Sequence, residues 1–125
     1  MADPLKVNLD RFVSAQAAVF PQMKGLGHSS QSEHYGIGSL AEAATYLRHP
    51  VLGQRLRQCT RLVTQVEGRS IHQILGSPDD LKFRSSMTLF ARAAEKAALD
   101  STDFNDALNK YFNGEGDPLT AALLR

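Results

Sequence analysis

The chain has 125 residues, and its 14 lysines and arginines stand against 13 acids for a formal net charge of +1. A balance this near neutrality argues against a dedicated polybasic nucleic-acid binder, and a composition 42% hydrophobic and 22% charged excludes a wholly disordered chain. The length suits one domain over 1–125, able to bury roughly two-thirds of its unfolded surface without a metal or disulfide staple.

Cys59 has no second cysteine to bridge to, so no oxidising compartment is implied. No apolar run approaches the ~20 residues of a membrane span, and the N-terminus from Met1 to Asn8 lacks an apolar signal-peptide core. A cytoplasmic protein is the expectation.

In chain order, a first helix is predicted from about Leu9 to Val19. Asn8 or Asp10 can cap it, Leu9, Phe12, Val13 and Gln16 share one face, and Pro21 stops it. From Pro21 to Gly38 the glycines and the Ser29-Ser30 pair read as loop. Ser39 with Glu42 three residues on predicts a capping box, and Leu40, Ala43, Ala44 and Leu47 form the apolar stripe behind it. His49-Pro50 closes that helix, because the residue before proline is pushed out of helical geometry.

Pro50 suits the first position of a helix reaching about Val66, with a narrow apolar seam of Leu52, Leu56, Cys59, Val63 and Val66. Arg57 and Arg61 are expected on its opposite side. Ser70 and Gln73 open a single turn, Ile71 to Leu75. Ser77 is expected to cap the next helix, with Pro78 in its first position and Asp79 and Asp80 at the positive end of its dipole.

That helix is predicted to reach Ala98. Phe83, Met87, Phe90 and Ala94 make one stripe, Leu89 and Ala93 lie beside it, and Ser85, Ser86 and Thr88 leave room for neighbours to approach. Apolar residues on more than one side mark a helix surrounded by others. Asp100 or Ser101 caps a helix through Phe112, and Asp117-Pro118 starts a last one from Leu119 to Leu124. No segment alternates like a strand. The fold class is all-α, an irregular single-domain bundle around a central helix near residues 78–98.

The stretches Tyr35-Gly-Ile-Gly-Ser-Leu-Ala-Glu-Ala43, Tyr46-Leu-Arg-His-Pro-Val-Leu-Gly-Gln-Arg-Leu56 and Ser77-Pro-Asp-Asp-Leu-Lys-Phe-Arg-Ser-Ser-Met-Thr-Leu-Phe90 carry a resemblance. With Leu9-Asp-Arg-Phe-Val-Ser-Ala-Gln16 and Tyr111-Phe-Asn-Gly-Glu-Gly-Asp-Pro118, they resemble the bacterial domain-of-unknown-function 1810 family over nearly the whole chain. The resemblance implies a small, mainly helical cytosolic protein and brings no established activity. Some members carry the label calpastatin, and no residue pattern here supports protease inhibition. The family also has a basic, His- and Trp-containing aromatic segment before the Phe-Pro-Gln that is Phe20-Pro-Gln22 here. In this chain Val19 runs straight into Phe20, so that segment looks absent.

Three places carry candidate chemistry. His34 and Tyr35 lie in the glycine-rich stretch ahead of a helix, where they can act as an acid–base or ligand-contacting pair. The plain reading, an exposed histidine and a packed ring, is favoured. Gly36-Ile-Gly38-Ser39 offers free N–H groups to an anion, but without a preceding strand it is neither a P-loop nor a dinucleotide fingerprint, and no cofactor is implied.

Lys82, Ser85 and Ser86 fall at i, i+3, i+4, where Lys82 can bind an anion or depress a serine, and Asp80 can pair with Lys82 instead. The competing reading is a buried small-residue stripe whose hydroxyls bond to carbonyls one turn back.

Charge is unevenly spread. Arg48 to Arg69 holds five arginines and Asp100 to Asp117 five acids, an asymmetry read as two faces that are solvated or pair with each other. Nucleic acid is disfavoured because interleaved aromatics are scarce. His28, His34, His49, His72 and Cys59 show no metal-ligand spacing, so no metal is expected. The expectation is a non-catalytic module that binds a small anionic ligand or a protein partner around His34, Tyr35, Asp80, Lys82, Ser85 and Ser86. The alternative is an enzyme acting on a nucleotide or phosphorylated metabolite.

Overall fold

Six helices follow one another among the residues that a computed structural model describes, 20–26 and 36–124. The expected helix from Leu9 to Val19, the Val19 side of the junction with Phe20, and His34 with Tyr35 lie outside the described residues.

Helix α1, Leu40–Arg48, starts behind Ser39, whose hydroxyl accepts the Glu42 N–H at 3.0 Å. The Glu42 carboxylate accepts the Gly38 N–H at 3.2 Å, one residue further out than a reciprocal box requires. His49 ends α1 and also opens α2, Leu52–Thr64: its Nδ1 accepts the N–H groups of Val51 and Leu52 at 3.2 and 3.1 Å. The second helix thus begins at Leu52 and not at Pro50, because the imidazole holds the N–H groups that follow the proline.

Along α2 the expected seam is only half right. Leu52 and Leu56 are buried, Cys59 and Val63 are half-buried, and Thr60 is fully enclosed instead. Burial of a hydroxyl is tolerated here because it donates to the Leu56 carbonyl at 2.8 Å. The helix stops at Thr64, short of Val66. Beyond it the Lys110 ammonium takes the carbonyls of Thr64 and Val66, a cation on the negative end of the helix.

Helix α3, Ile71–Leu75, carries the full capping box: Ser70 Oγ accepts from Gln73 N at 3.1 Å and Gln73 Oε1 from Ser70 N at 2.8 Å. Helix α4 is Asp79–Lys96, shorter at its far end than the predicted reach to Ala98. Ser77 does not cap it. Pro78 occupies the cap position without a side-chain bond, and Asp80 Oδ1 takes the Leu81 N–H at 2.9 Å. Helix α5, Thr102–Phe112, follows Asp100, whose Oδ1 accepts the Thr102 N–H at 2.9 Å. Helix α6, Pro118–Leu123, is capped by Asp117, which accepts from the Thr120 N–H at 2.9 Å and hydroxyl at 2.7 Å.

Every residue from Ser85 to Ala91 is buried. That run is nearly two helical turns, so no face of α4 meets solvent there. Helices α1, α3, α5 and α6 all pack against it, while α2 lies chiefly on α1 and α5 and reaches α4 where Thr60 Oγ1 stands 3.8 Å from Met87 Sδ. The core is aromatic along this axis. The Phe90 ring is 5.3 Å from Tyr46 and 5.8 Å from Phe104, and Phe83 meets the edge of Phe20 at 5.0 Å. The segment around Phe20 is held by a parallel bridge between Met23 and Ile37. The architecture is all-α, around the central helix that the sequence predicts.

Candidate functional site

The first turns of α4 hold four of the predicted residues. Lys82 is exposed and has no carboxylate partner among the described residues. Asp80 pairs instead with His72, Oδ2 to Nδ1 at 3.1 Å. Ser85 is buried and donates to the Leu81 carbonyl at 3.2 Å, the back-bond of a packed helix serine. Ser86 is fully buried, and its Oγ has no hydrogen-bond partner among the described residues. An orphaned hydroxyl costs about 1–3 kcal/mol of desolvation, so Ser86 differs in kind from Ser85 beside it. His34 and Tyr35 cannot be placed against these residues, because they lie outside the described ones.

The glycine loop ahead of α1 is already engaged. Ile37 N–H goes to the Gln22 carbonyl at 2.7 Å and Gly38 N–H to the Glu42 carboxylate. A carboxylate in that place also repels an anion.

The two charge blocks meet each other. Arg61 and Arg57 stand 3.4 and 3.9 Å from the same oxygen of Asp103, and Lys110 stands 3.1 Å from Glu67. Arg57 is therefore not on a free outer side of α2. It is half-buried, with its guanidinium 5.1 Å over the Phe104 ring, because α5 packs on that side of α2.

A groove of about 460 Å³ opens between α1 and the end of α4. From α1 it is lined by Leu40, Ala41, Ala44, Thr45 and Arg48. From α4 come Ala93, Lys96 and Ala97, the last just past the helix end. The volume falls in the range of ligand sites, and the surface is chiefly apolar. Arg48 and Lys96 are exposed and have no carboxylate partner among the described residues. The nearby Glu95 is held by Asn105 at 3.2 Å. Each cation sits in the last turn of its helix, where the dipole favours it.

The groove touches neither Lys82 nor the two serines. Sequence reasoning missed it. The local signal is alanines beside a terminal cation in each helix, Ala41 and Ala44 ahead of Arg48 and Ala93 ahead of Lys96.

Among the described residues no cluster of His, Cys, Asp and Glu could hold a metal ion, and no helix is long and apolar enough to cross a membrane.

Against solved structures, the chain is similar to the conserved hypothetical protein Rv1873 from Mycobacterium tuberculosis. The two share 49% identity with a TM-score of 0.80, over 96% of this chain and 85% of that one. No curated protein matches the chain. The model of the family described as "Protein of unknown function (DUF1810)" matches residues 18–124. With the match spanning all six helices, the chain belongs to the DUF1810 family.

Proposed function

We propose that the chain is a non-catalytic binding module whose working surface is the groove between α1 and α4, and that it holds an acidic face of a protein partner. The observation that carries this reading is the pairing of an apolar floor with two cations that have no carboxylate partner among the described residues. Apolar area supplies the attraction, and the cations supply orientation and choice of partner. The packing of Ser85 and Ser86 also supports it, because side chains enclosed in a core do not line an open reaction site.

A second reading rests on Lys82, which is exposed and has no carboxylate partner among the described residues, and which supports a small anionic ligand at the start of α4. Such a ligand, a nucleotide or phosphorylated metabolite, would also serve the enzymatic alternative.

Thermal shift separates the two, because a ligand that binds only the native state raises the melting temperature. The proposal expects a rise with a short acidic amphipathic peptide, lost in Arg48→Glu/Lys96→Glu, and none with nucleotides or sugar phosphates. A rise with a nucleotide that survives the double substitution but disappears in Lys82→Ala supports the second reading and ends the first.

A further inference from the structure

We infer that the groove receives an α-helix of another protein, one that carries an apolar stripe with an acidic residue on each flank. This rests on the groove being the binding surface proposed above, and the shape of the groove specifies the occupant. Its α1 wall runs from Leu40 to Arg48, about 12 Å at the helical rise of ~1.5 Å per residue. That length holds two turns of a helix laid alongside.

Its floor is Ala44 and Ala93, 6% and 1% exposed, with Ala41 and Ala97 beside them. Side chains that end at Cβ keep the floor low, so a third helix can settle at ordinary packing distance and fill the gap with its own larger side chains. The two cations come from opposite walls, Arg48 from α1 and Lys96 from α4. A partner with one acidic edge answers one of them. A partner with acids on both edges of its apolar stripe answers both, as the charged flanks of a coiled-coil seam do.

The described part of the chain has no such segment to offer a second copy. Helix α5 is the acidic one, but its apolar residues Phe104, Ala107 and Leu108 are buried in its own core. Helix α6 exposes Leu119 and Leu123, and it contains no acid. The inference commits to a different chain as the occupant.

The test is selection of short linear peptides from a random displayed library on the full chain, in parallel with its Arg48→Glu/Lys96→Glu variant. Circular dichroism and melting temperature establish that the variant is folded, and Arg48→Gln/Lys96→Gln gives the same readout by removing charge alone. The peptides expected to be enriched on the native chain have apolar residues at i, i+4 and i+7 with Asp or Glu on both flanks. They are expected to bind roughly tenfold more weakly to the charge variants. They are also expected to lose roughly tenfold or more when a central residue becomes proline, because proline breaks a helix by ~3 kcal/mol. Peptides that require Arg48 and Lys96 but tolerate the proline overturn the helix and leave the binding surface standing. Peptides that bind native and variant chains alike, or an absence of enrichment, overturn both.

Discussion

The Thr88 hydroxyl accepts the Asp117 N–H at 2.8 Å, and this one bond ties the head of α6 to the middle of α4. The same hydroxyl donates to the Arg84 carbonyl at 2.8 Å, so it is used in both directions at 2% exposure. Thr88→Val keeps the shape and removes both bonds, which leaves the Asp117 N–H against a methyl group. The expected cost is about 1–3 kcal/mol, seen as a lower urea midpoint at unchanged slope. Hydrogen exchange should show α6 amides losing protection before those of α4. An unchanged midpoint would contradict the assignment.

Gly53 sits where α2 crosses the end of α1. In an open helix Gly→Ala stabilises by roughly 1 kcal/mol. Here a Cβ would stand 2.0 Å from the Leu47 carbonyl oxygen and 2.8 Å from its carbon, both backbone atoms that cannot rotate away. Overpacking then outweighs propensity, and Gly53→Ala is expected to destabilise by about 2 kcal/mol or more. Gly38→Ala is the control. Nothing lies within 4 Å of the added Cβ there, so its midpoint should move by less than about 0.5 kcal/mol. Equal effects at the two sites would show that the α1–α2 crossing is looser than described.

Burial pushes the Tyr46 hydroxyl up to about 12 from its ordinary 10.0, with the hydrogen bond and charge of Arg55 acting the other way. A raised value means that the folded state holds the proton more tightly than the unfolded one. The associated stability is whole below pH 10 and is lost as pH rises from 10 to about 12. Two pH units correspond to roughly 3 kcal/mol. Between about pH 9 and 11.5 the native chain should therefore lose roughly 2 kcal/mol more than Tyr46→Phe, measured by urea unfolding. A parallel decline of the two proteins would contradict the burial of this hydroxyl. Asp100 has the opposite sign: Thr102 holds its carboxyl below the usual range, so its contribution disappears as pH falls through that lowered value.

Helix starts were legible where both ends of a bond lie within three residues of each other. Ser39, Ser70 and Asp117 each accept from the N–H three positions on, and the sequence shows both partners at once. Ser77 misled because the Asp80 carboxylate took an N–H of the first turn and Pro78 held the cap position. The burial of α4 was legible from apolar residues on several of its sides.

Thr60 was not legible, since a hydropathy seam cannot anticipate that a carbonyl one turn back satisfies the hydroxyl. The pairing of Arg57 with Asp103 and Phe104 depends on α2 meeting α5 side by side, which no local pattern encodes. The groove escaped for the same reason: Ala44 and Ala93 lie far apart in sequence, and only the packing of α1 on α4 brings them to one surface. Of the two readings weighed for the serines at the start of α4, the packed one describes Ser85, which bonds back to Leu81, while Ser86 is buried without that back-bond. The spacing did not foretell that Asp80 would take His72 in place of Lys82.

The most direct measurement is a map of amide chemical-shift changes across the ¹⁵N-labelled full chain, titrated with a helical peptide that has a leucine stripe and glutamates on both edges. The account predicts saturable shifts concentrated at Leu40–Arg48 and Ala93–Ala97, abolished by Arg48→Glu/Lys96→Glu. Shifts centred on Lys82–Ser86 with the groove unmoved, or no saturable shift at all, would contradict it.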